Sequence, residues 1–291
     1  MPLSRRRSLL VIGGIAACFL VAAGLGAVIE HAHASFVVDV AILGGLVGGC
    51  AGLGLVYSYN TSREVRHLKA EFDAATGLTP LLGSTDRLVP TMGGMAMDAE
   101  PCHHMLTLIS RYKPTTIVEF GPGTSTVLIQ LMLRSLHAPG RIFCIEHDPH
   151  FALAVRENLD YFGFGSDEVT VIEAPLAPRV LVDETTSHSW QGKWYLEEAL
   201  EALPGQVDFV VVDGPPDVPG VGLRYPALPW IKGRLSDRAV IFADDTNRVA
   251  ERRMIERWLE DPDVSVCHRG GSFTSLLFRR SADEPVGEKT D

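Results

Sequence analysis

The sequence has 291 residues, a length that fits one large domain or two small ones, and its formal net charge is −10. The charge is uneven: the first 70 residues hold six basic and three acidic side chains, and the rest of the chain holds 20 and 33. Such an acidic body argues against nucleic-acid binding, which needs many lysines and arginines facing phosphates. The five cysteines are scattered without a C-x-x-C pair, which argues against a disulfide framework or a zinc knuckle.

Two apolar, charge-free segments stand near the start of the chain, at residues 8–29 and 40–59. Each is long enough to cross a hydrocarbon core of about 30 Å at about 1.5 Å per residue. Arginines precede the first segment, basic residues follow the second, and the stretch between them has no lysine or arginine. The positive-inside rule therefore predicts a two-pass protein of the inner, cytoplasmic membrane, with the globular part in the cytoplasm.

A second interpretation of the N-terminus stays open. The segment SRRRSLL resembles a twin-arginine export signal, and Ala32-His33-Ala34 resembles a cleavage site. Cleavage after Ala34 would export the globular part instead of anchoring it.

The chain order of these patterns predicts four segments. They are a membrane hairpin over residues 1–59 with helices at about 9–29 and 38–59, a juxtamembrane helix and linker over 60–97, a globular domain over 98–280, and a polar tail over 281–291.

Short apolar strands alternate with helices throughout the globular domain. Strands are predicted at 115–120, 141–146, 169–172, 207–213, 239–244, 264–269 and 273–280, and helices at 98–112, 125–136, 149–159 and 248–259. Near-continuous Val, Ile and Phe runs alternating with helices indicate a parallel sheet covered on both faces. The last two strands are joined by too short a turn for a crossover helix, so they should pair antiparallel. We therefore predict an α/β, Rossmann-like fold with a seven-stranded, mostly parallel sheet and a terminal antiparallel hairpin.

Two features at predicted strand ends point to a ligand. Gly121 and Gly123 follow the first strand, where glycines allow a tight turn and a close approach of the backbone to a ligand. Glu146 ends the second strand, where a carboxylate can accept hydrogen bonds from both hydroxyls of a ribose. Each feature alone is also compatible with an ordinary turn and a solvated acid. Together they predict a nucleoside-type ligand at the carboxyl ends of the strands.

With the segment IVEFGPGTST at 117–126, Glu146 and the strand order, the chain resembles the class I S-adenosylmethionine-dependent methyltransferases over about residues 90–280. The motifs VDGPP, RYPAL and FADDTNR further resemble a bacterial, membrane-anchored group of methyltransferases of undetermined substrate. The resemblance implies S-adenosylmethionine as cofactor. It implies contacts to the methionine part from Glu119, Gly121, Gly123, Thr124 and Ser125, to the ribose from Glu146, and to the adenine near Ala174.

Three aspartates mark the reactive end of the predicted site: Asp213 ends the fourth strand, and Asp244 and Asp245 end the fifth. Catechol O-methyltransferase-like enzymes hold Mg²⁺ with two aspartates and an asparagine at matching positions, and this sequence departs from them by having no asparagine there. Without a metal, Asp213 would act as a general base or orient the substrate. A third interpretation makes Asp244 and Asp245 a structural network with Arg248 that caps the last long helix.

The loop after the fourth strand supplies candidate substrate residues. Arg224 is predicted either to clamp an anionic substrate or to pair with the acidic surface, and Tyr225 lies beside it. Trp190, Trp194 and Tyr195 are interpreted as core or lid packing.

The predicted function is a membrane-anchored methyltransferase that modifies an oxygen or nitrogen of a small-molecule, lipid-linked or glycan-linked substrate. An NAD-dependent oxidoreductase is the alternative, although the third glycine of a dinucleotide fingerprint is replaced by Thr126. A non-catalytic membrane scaffold that keeps the fold is a further alternative.

Overall fold

The computed structural model describes residues 34–94, 96–182, 187–216 and 222–280. The chain divides into two compact units, of which the first ends at Lys69 and the second begins at Ala70. The first predicted membrane helix and the polar tail lie outside the described residues.

A 49-residue helix, α1 (Ala34–Leu82), covers the second predicted span at about 38–59 and the predicted juxtamembrane helix. The part of α1 that belongs to the first unit leaves apolar side chains exposed. Among them are Leu55 and Tyr57, which are 73% and 74% exposed. Of the helices in the described part of the chain, none is long and apolar enough to cross a membrane.

The second unit is built on a seven-stranded sheet with the order β3-β2-β1-β6-β7-β9-β8. Its strands are β1 (Thr116–Phe120), β2 (Arg141–Glu146), β3 (Val169–Glu173), β6 (Val207–Val212), β7 (Leu235–Ala243), β8 (Val264–Arg269) and β9 (Thr274–Phe278). The first five of these pair in parallel, and β9 pairs antiparallel with both β7 and β8. The predicted sheet and its terminal hairpin are confirmed.

Helices cover the sheet as the strand pattern requires. They are α2 (Ala99–Tyr112), α3 (Thr124–Ser135), α4 (Pro149–Phe162), the short α5 (Glu197–Leu200) and α6 (Ala227–Ile231), and α7 (Val249–Trp258). The strand side chains alternate between two buried cores. Phe120 and Val212 belong to one core, and Ile117 and Val211 belong to the other. Burial on both faces explains why β1 and β6 are continuous apolar runs rather than alternating ones.

A second, two-stranded antiparallel sheet was not predicted. It pairs β4 (Leu176–Val182) with β5 (Ser189–Tyr195). Trp194 and Tyr195 at its end are buried and pack against Phe120, with ring centroids 5.4 Å and 5.8 Å away. The interpretation of these aromatic residues as core packing is confirmed. The hairpin itself was missed because β4 contains Pro178 and Arg179 and leaves its valines exposed, which weakens the strand pattern.

Candidate active site

A cavity of about 330 Å³ opens at the carboxyl ends of the central parallel strands. It is lined by the loops that follow β1, β2, β6 and β7, by residues 94 and 96–98 ahead of α2, and by Asn247, Arg248 and Ser272. The cavity lies where the strand order reverses between β1 and β6, the place where open α/β sheets bind ligands. The predicted glycine turn, the acid of the second strand and the three aspartates all reach this one cavity.

The glycine turn depends on close backbone packing. Gly121 has φ +81°, and a Cβ there would lie 2.7 Å from the amide nitrogen of Gly214. Its amide donates to the carbonyl of Ile145 over 3.1 Å, so the turn is tied to the end of β2 as well as to the loop after β6. Glycine is therefore required at this position by both conformation and space. Gly121, Gly123 and the first residues of α3, Thr124 and Ser125, line the cavity as predicted.

Glu119 does not line the cavity, which corrects the contact predicted for it. Its carboxylate is fully buried and accepts hydrogen bonds from the Ser125 hydroxyl at 2.5 Å and the Thr126 hydroxyl at 2.6 Å. The Thr126 hydroxyl in turn accepts from the amide of Gly123 at 3.1 Å. Burial raises the pKa of Glu119 to about 7. Glu119 therefore holds the start of α3 and the glycine turn in place from beneath.

Glu146 lies at the end of β2 and lines the cavity with a largely buried side chain. Its Oε1 accepts hydrogen bonds from the backbone amides of His147 and Asp148 at 2.7 Å and 2.8 Å. Nδ1 of His147 also lies 2.7 Å from Oε1. The carboxylate is thus fixed through one oxygen, which leaves Oε2 to accept a hydrogen bond from a ligand.

Ala174 follows β3 and is fully buried, and it is not among the residues that line the cavity. Its amide donates to the carbonyl of Glu146 at 2.8 Å and continues the ladder between β2 and β3. The predicted contact of Ala174 with an adenine is not seen in the cavity lining.

The three predicted aspartates converge around a buried arginine. Carboxylate oxygens of Asp213, Asp244 and Asp245 lie within 4.8 Å of one another. Arg224, whose side chain is 5% exposed, places Nη2 3.2 Å from Oδ1 of Asp213 and Nη1 3.1 Å from Oδ2 of Asp245. Its Nε also donates to the carbonyl of Pro215 at 3.3 Å. Arg224 therefore supplies the positive charge that this acidic cluster requires.

The predicted pairing of Arg224 with acidic groups is present, because its guanidinium is engaged by two carboxylates and a carbonyl of its own chain. Arg224 also lines the cavity, and its contact with an anionic substrate stays a prediction. Tyr225 is buried in the core, where its carbonyl accepts from the indole of Trp258 at 3.0 Å, and it does not line the cavity.

Asp245 has φ +60° and joins a second guanidinium, because Nη1 of Arg248 lies 2.7 Å from its Oδ2. Neither aspartate caps α7: Arg248 occupies the N-cap position, and no side chain caps the helix there. The predicted ion pair with Arg248 is present, and the predicted cap is absent.

Asp244 differs from its two neighbours because its side chain forms none of the ion pairs that hold them. It lines the cavity and is 6% exposed. Burial, and to a smaller degree the neighbouring Asp245 carboxylate, raise its pKa to about 7. Burial also raises the pKa of Asp213 well above its usual range, against the lowering effect of Arg224. Asp244 is thus a cavity carboxylate poised to exchange a proton near neutral pH.

The cluster does not fit a divalent metal ion well. Three carboxylates at this spacing are the oxygen ligands that Mg²⁺ prefers. However, the Arg224 guanidinium already pairs with Asp213 and Asp245. Arg248 also pairs with Asp245. A cation added there would meet a positive charge that is already in place.

Asp98 lines the cavity and was not among the predicted site residues. It stands at the N-cap position of α2, and its side chain makes no capping hydrogen bond. Glu71 of α1 accepts hydrogen bonds from the amides of Ala99 and Glu100, so the start of α2 is capped from outside.

The fold and the site are those of an α/β protein with a glycine turn and a buried carboxylate beside one cavity. Residues 118–246 match the family model described as a methyltransferase domain. This match identifies residues 118–246, which run from β1 to the loop after β7, as a methyltransferase domain. No curated protein sequence matches it.

Solved structures with a similar fold include three methyltransferases of low sequence identity. A methyltransferase from Podospora anserina with bound S-adenosylhomocysteine is 19% identical, with a TM-score of 0.47, over 64% of this chain and 81% of that one. An O-methyltransferase from Bacillus cereus in complex with S-adenosylhomocysteine is 16% identical, with a TM-score of 0.46, over 71% of this chain and 90% of that one. The O-methyltransferase of tomaymycin synthesis from Streptomyces achromogenes, in complex with S-adenosylmethionine, is 19% identical, with a TM-score of 0.45, over 72% and 90%.

Proposed function

We propose that the protein transfers a methyl group from S-adenosylmethionine to an oxygen or nitrogen of a small molecule, with Asp244 as general base and without a metal ion. The observation that carries this proposal is a single cavity lined both by the glycine turn with Glu146 and by Asp244. The residues proposed to bind the cofactor and the proposed proton acceptor thus share one cavity, as group transfer requires.

The residues of the first two loops fit the cofactor. A Cβ at Gly121 would collide with the backbone of Gly214, so only glycine allows this turn, and both Gly121 and Gly123 line the cavity. Oε1 of Glu146 is held by two backbone amides, and we assign Oε2 to accept from ribose hydroxyls. When bound, S-adenosylmethionine supplies an electrophilic methyl group on a sulfonium centre.

The chain's own contribution to the reaction is the acceptance of a proton. An acceptor hydroxyl or amine loses its proton as the new bond to carbon forms, and Asp244 takes that proton on a carboxylate oxygen. Its pKa of about 7 matches that task near neutral pH. Arg224 holds Asp213 and Asp245 in ion pairs, so the neighbouring negative charge is offset without a metal ion.

Calorimetric titration with S-adenosylhomocysteine tests the cofactor site, with NAD as the competing ligand. We expect binding of the first and none of the second. Glu146→Gln should weaken the binding of S-adenosylhomocysteine by about tenfold or more, because a charge-assisted hydrogen bond contributes about 1.5–3 kcal/mol. The isosteric Asp148→Asn is the matched control, since its carboxylate caps α4 and does not line the cavity. Binding of NAD in place of S-adenosylhomocysteine would favour the oxidoreductase instead.

Turnover separates an enzyme from a non-catalytic scaffold. Transfer of label from radioactive S-adenosylmethionine to a membrane extract should be detected with the wild type. Asp244→Asn should lose most of this transfer and keep its affinity for S-adenosylhomocysteine. Tight cofactor binding with no labelled product from any extract would favour the scaffold.

The proposal includes a location at the inner membrane, through the segments at about 9–29 and 38–59. The support is the charge pattern of the sequence and the exposed apolar side chains of α1, such as Leu55 and Tyr57. A membrane location would bring lipid-linked or glycan-linked acceptors within reach. Reporter fusions after residues 35 and 70 should give opposite compartment signals. A mature protein that begins at Ser35 would show instead that the N-terminus is an export signal.

A further inference from the structure

A second concavity, here called the apolar groove, lies in the same unit as the cavity. Its volume is about 530 Å³, and it is formed by the last turns of α1, the segment that follows α1 and the start of α2. Among its described lining residues, the charged ones are Glu71 and Asp98, and Glu71 is engaged by the amides at the start of α2. Six apolar residues make up most of the rest: Phe72, Ala75, Leu82, Val89, Pro90 and Met92.

The groove has a packed floor and an open wall. Leu82, Val89 and Met92 are partly buried and pack against the core that contains Ile117. Phe72, in contrast, is 71% exposed. Single exposed apolar side chains are common on proteins, but a concave apolar patch that continues into a core is typical of a binding surface.

The groove adjoins the candidate active site. Asp98 lines both the groove and the cavity, and a Cβ at Gly93 of the groove would lie 3.3 Å from its Oδ1. The carbonyl of Thr91, in the groove, accepts a hydrogen bond from the hydroxyl of Thr124, in the cavity, at 3.2 Å. The segment ahead of α2 thus forms a wall of both spaces, so one ligand can occupy the cavity and extend into the groove.

The cavity by itself is small for two ligands. Sites that enclose one small molecule or cofactor have volumes of about 300–1,000 Å³, and the cavity of about 330 Å³ stands at the lower end of this range. S-adenosylmethionine and the reacting atom of an acceptor therefore leave little of it for the rest of the acceptor. The groove adds space of a different chemistry, because its walls are mostly apolar whereas the cavity lining contains five carboxylates.

We infer that the apolar groove binds a hydrocarbon arm of the methyl acceptor, so that the acceptor is an amphipathic small molecule with its nucleophile in the cavity. This inference rests on the proposed function and adds the substrate class to it. Burial of the arm against Phe72 and Met92 supplies affinity, and the fixed position of the arm selects the atom that meets the methyl group. Phe72 gives the most direct test, because a substitution there alters the groove without opening the core.

Calorimetry with the full chain, saturated with S-adenosylhomocysteine, tests the groove with two phenols that differ in their hydrocarbon arm, p-cresol and 4-heptylphenol. The wild type should bind 4-heptylphenol at least about tenfold more tightly, because each buried methylene strengthens binding by up to about fourfold. Phe72→Asp places a charge in the groove and should remove this preference, while the affinities for p-cresol and S-adenosylhomocysteine stay unchanged. Leu88→Asp is the matched control, since Leu88 is 87% exposed and does not line the groove. Partition of the phenols into detergent or lipid is the same for all these proteins, so the comparison between them isolates the groove.

A second variant fills the groove instead of charging it. Ala75→Trp should also remove the preference for 4-heptylphenol and keep the affinity for p-cresol. The inference is overturned if the wild type binds 4-heptylphenol no more tightly than p-cresol, or if Phe72→Asp and Leu88→Asp lose the preference equally. Sedimentation supplies a further test: a wild-type dimer that Phe72→Asp dissociates would show that a second copy of the chain covers the groove, and would overturn the inference as well. A wild type that does not bind S-adenosylhomocysteine contradicts the proposed function itself, whereas the absence of a preference between the phenols contradicts the groove alone.

Discussion

Replacement of the buried arginine should convert the aspartate cluster into a metal site. Arg224 is almost fully buried and pairs with Asp213 and Asp245. Arg224→Met removes the positive charge and keeps an unbranched apolar side chain in its place. Three carboxylates within 4.8 Å of one another then remain without this cation. Because like charges at this spacing repel, the variant should be unstable at neutral pH and should bind a divalent ion that the wild type does not need.

The size of the effect follows from burial. Breaking a buried ion pair by removal of one partner costs about 3–5 kcal/mol. For a domain of this size, each kcal/mol shifts Tm by about 2–4 °C, so Tm should fall by roughly 6–20 °C. Arg248→Met is the matched control, since Arg248 pairs with the same Asp245 from a side chain that is 55% exposed. An exposed pair contributes about 1 kcal/mol or less, so the control should change Tm little.

Thermal unfolding in millimolar Mg²⁺, Mn²⁺ or Ca²⁺, against chelator, measures both parts of the prediction. Added ion should restore much of the lost Tm in Arg224→Met, by about 2.7 kcal/mol at a hundredfold excess over its Kd. The wild type and Arg248→Met should show no shift. A clear shift in the wild type, together with methyl transfer that stops in chelator, would refute the reasoning and establish the aspartates as metal ligands.

Three other predictions concern buried groups of the site. Burial raises the pKa of Glu119 from 4.5 to about 7, so the folded state holds a proton that the unfolded state releases. The free energy of unfolding of the wild type should therefore fall by roughly 3 kcal/mol as pH rises from 4.5 through 7. Urea titrations at several pH values should show a smaller fall in Glu119→Gln. An equal dependence on pH in the two proteins would contradict the raised pKa of Glu119. Asp244 must be ionised to accept a proton, so single-turnover rates should rise with pH through about 7 and then level, and a flat profile would exclude it as the base. Gly121→Ala places a Cβ 2.7 Å from the amide nitrogen of Gly214 in a residue with φ +81°. The variant should lose more than about 1 kcal/mol of unfolding free energy in urea titrations, and calorimetry should detect no binding of S-adenosylhomocysteine. Unchanged stability would show that the turn relaxes around the added methyl group.

Local patterns were sufficient for the sheet and for the cofactor end of the site. Strands such as β1 and β6 are buried on both faces, so their sequences are continuous runs of apolar residues that can be recognised without knowledge of their partners. Gly121 and Glu146 stand at strand ends, and parallel strands bring their carboxyl ends to one edge. The strand order then placed these residues in the same cavity as Asp213 and Asp244.

The partners of the charged side chains could not be predicted from the sequence. Arg224 pairs with Asp213, directly after β6, and with Asp245, after β7, and no local pattern encodes this pairing. The sequence by itself therefore determined the sheet, the glycine turn and the acid at the end of β2, since these depend on burial and backbone conformation near each residue. Only the tertiary structure decided that Glu71 caps α2 and that an arginine stands among the aspartates, because a charged group is assigned its partner by packing between distant parts of the chain.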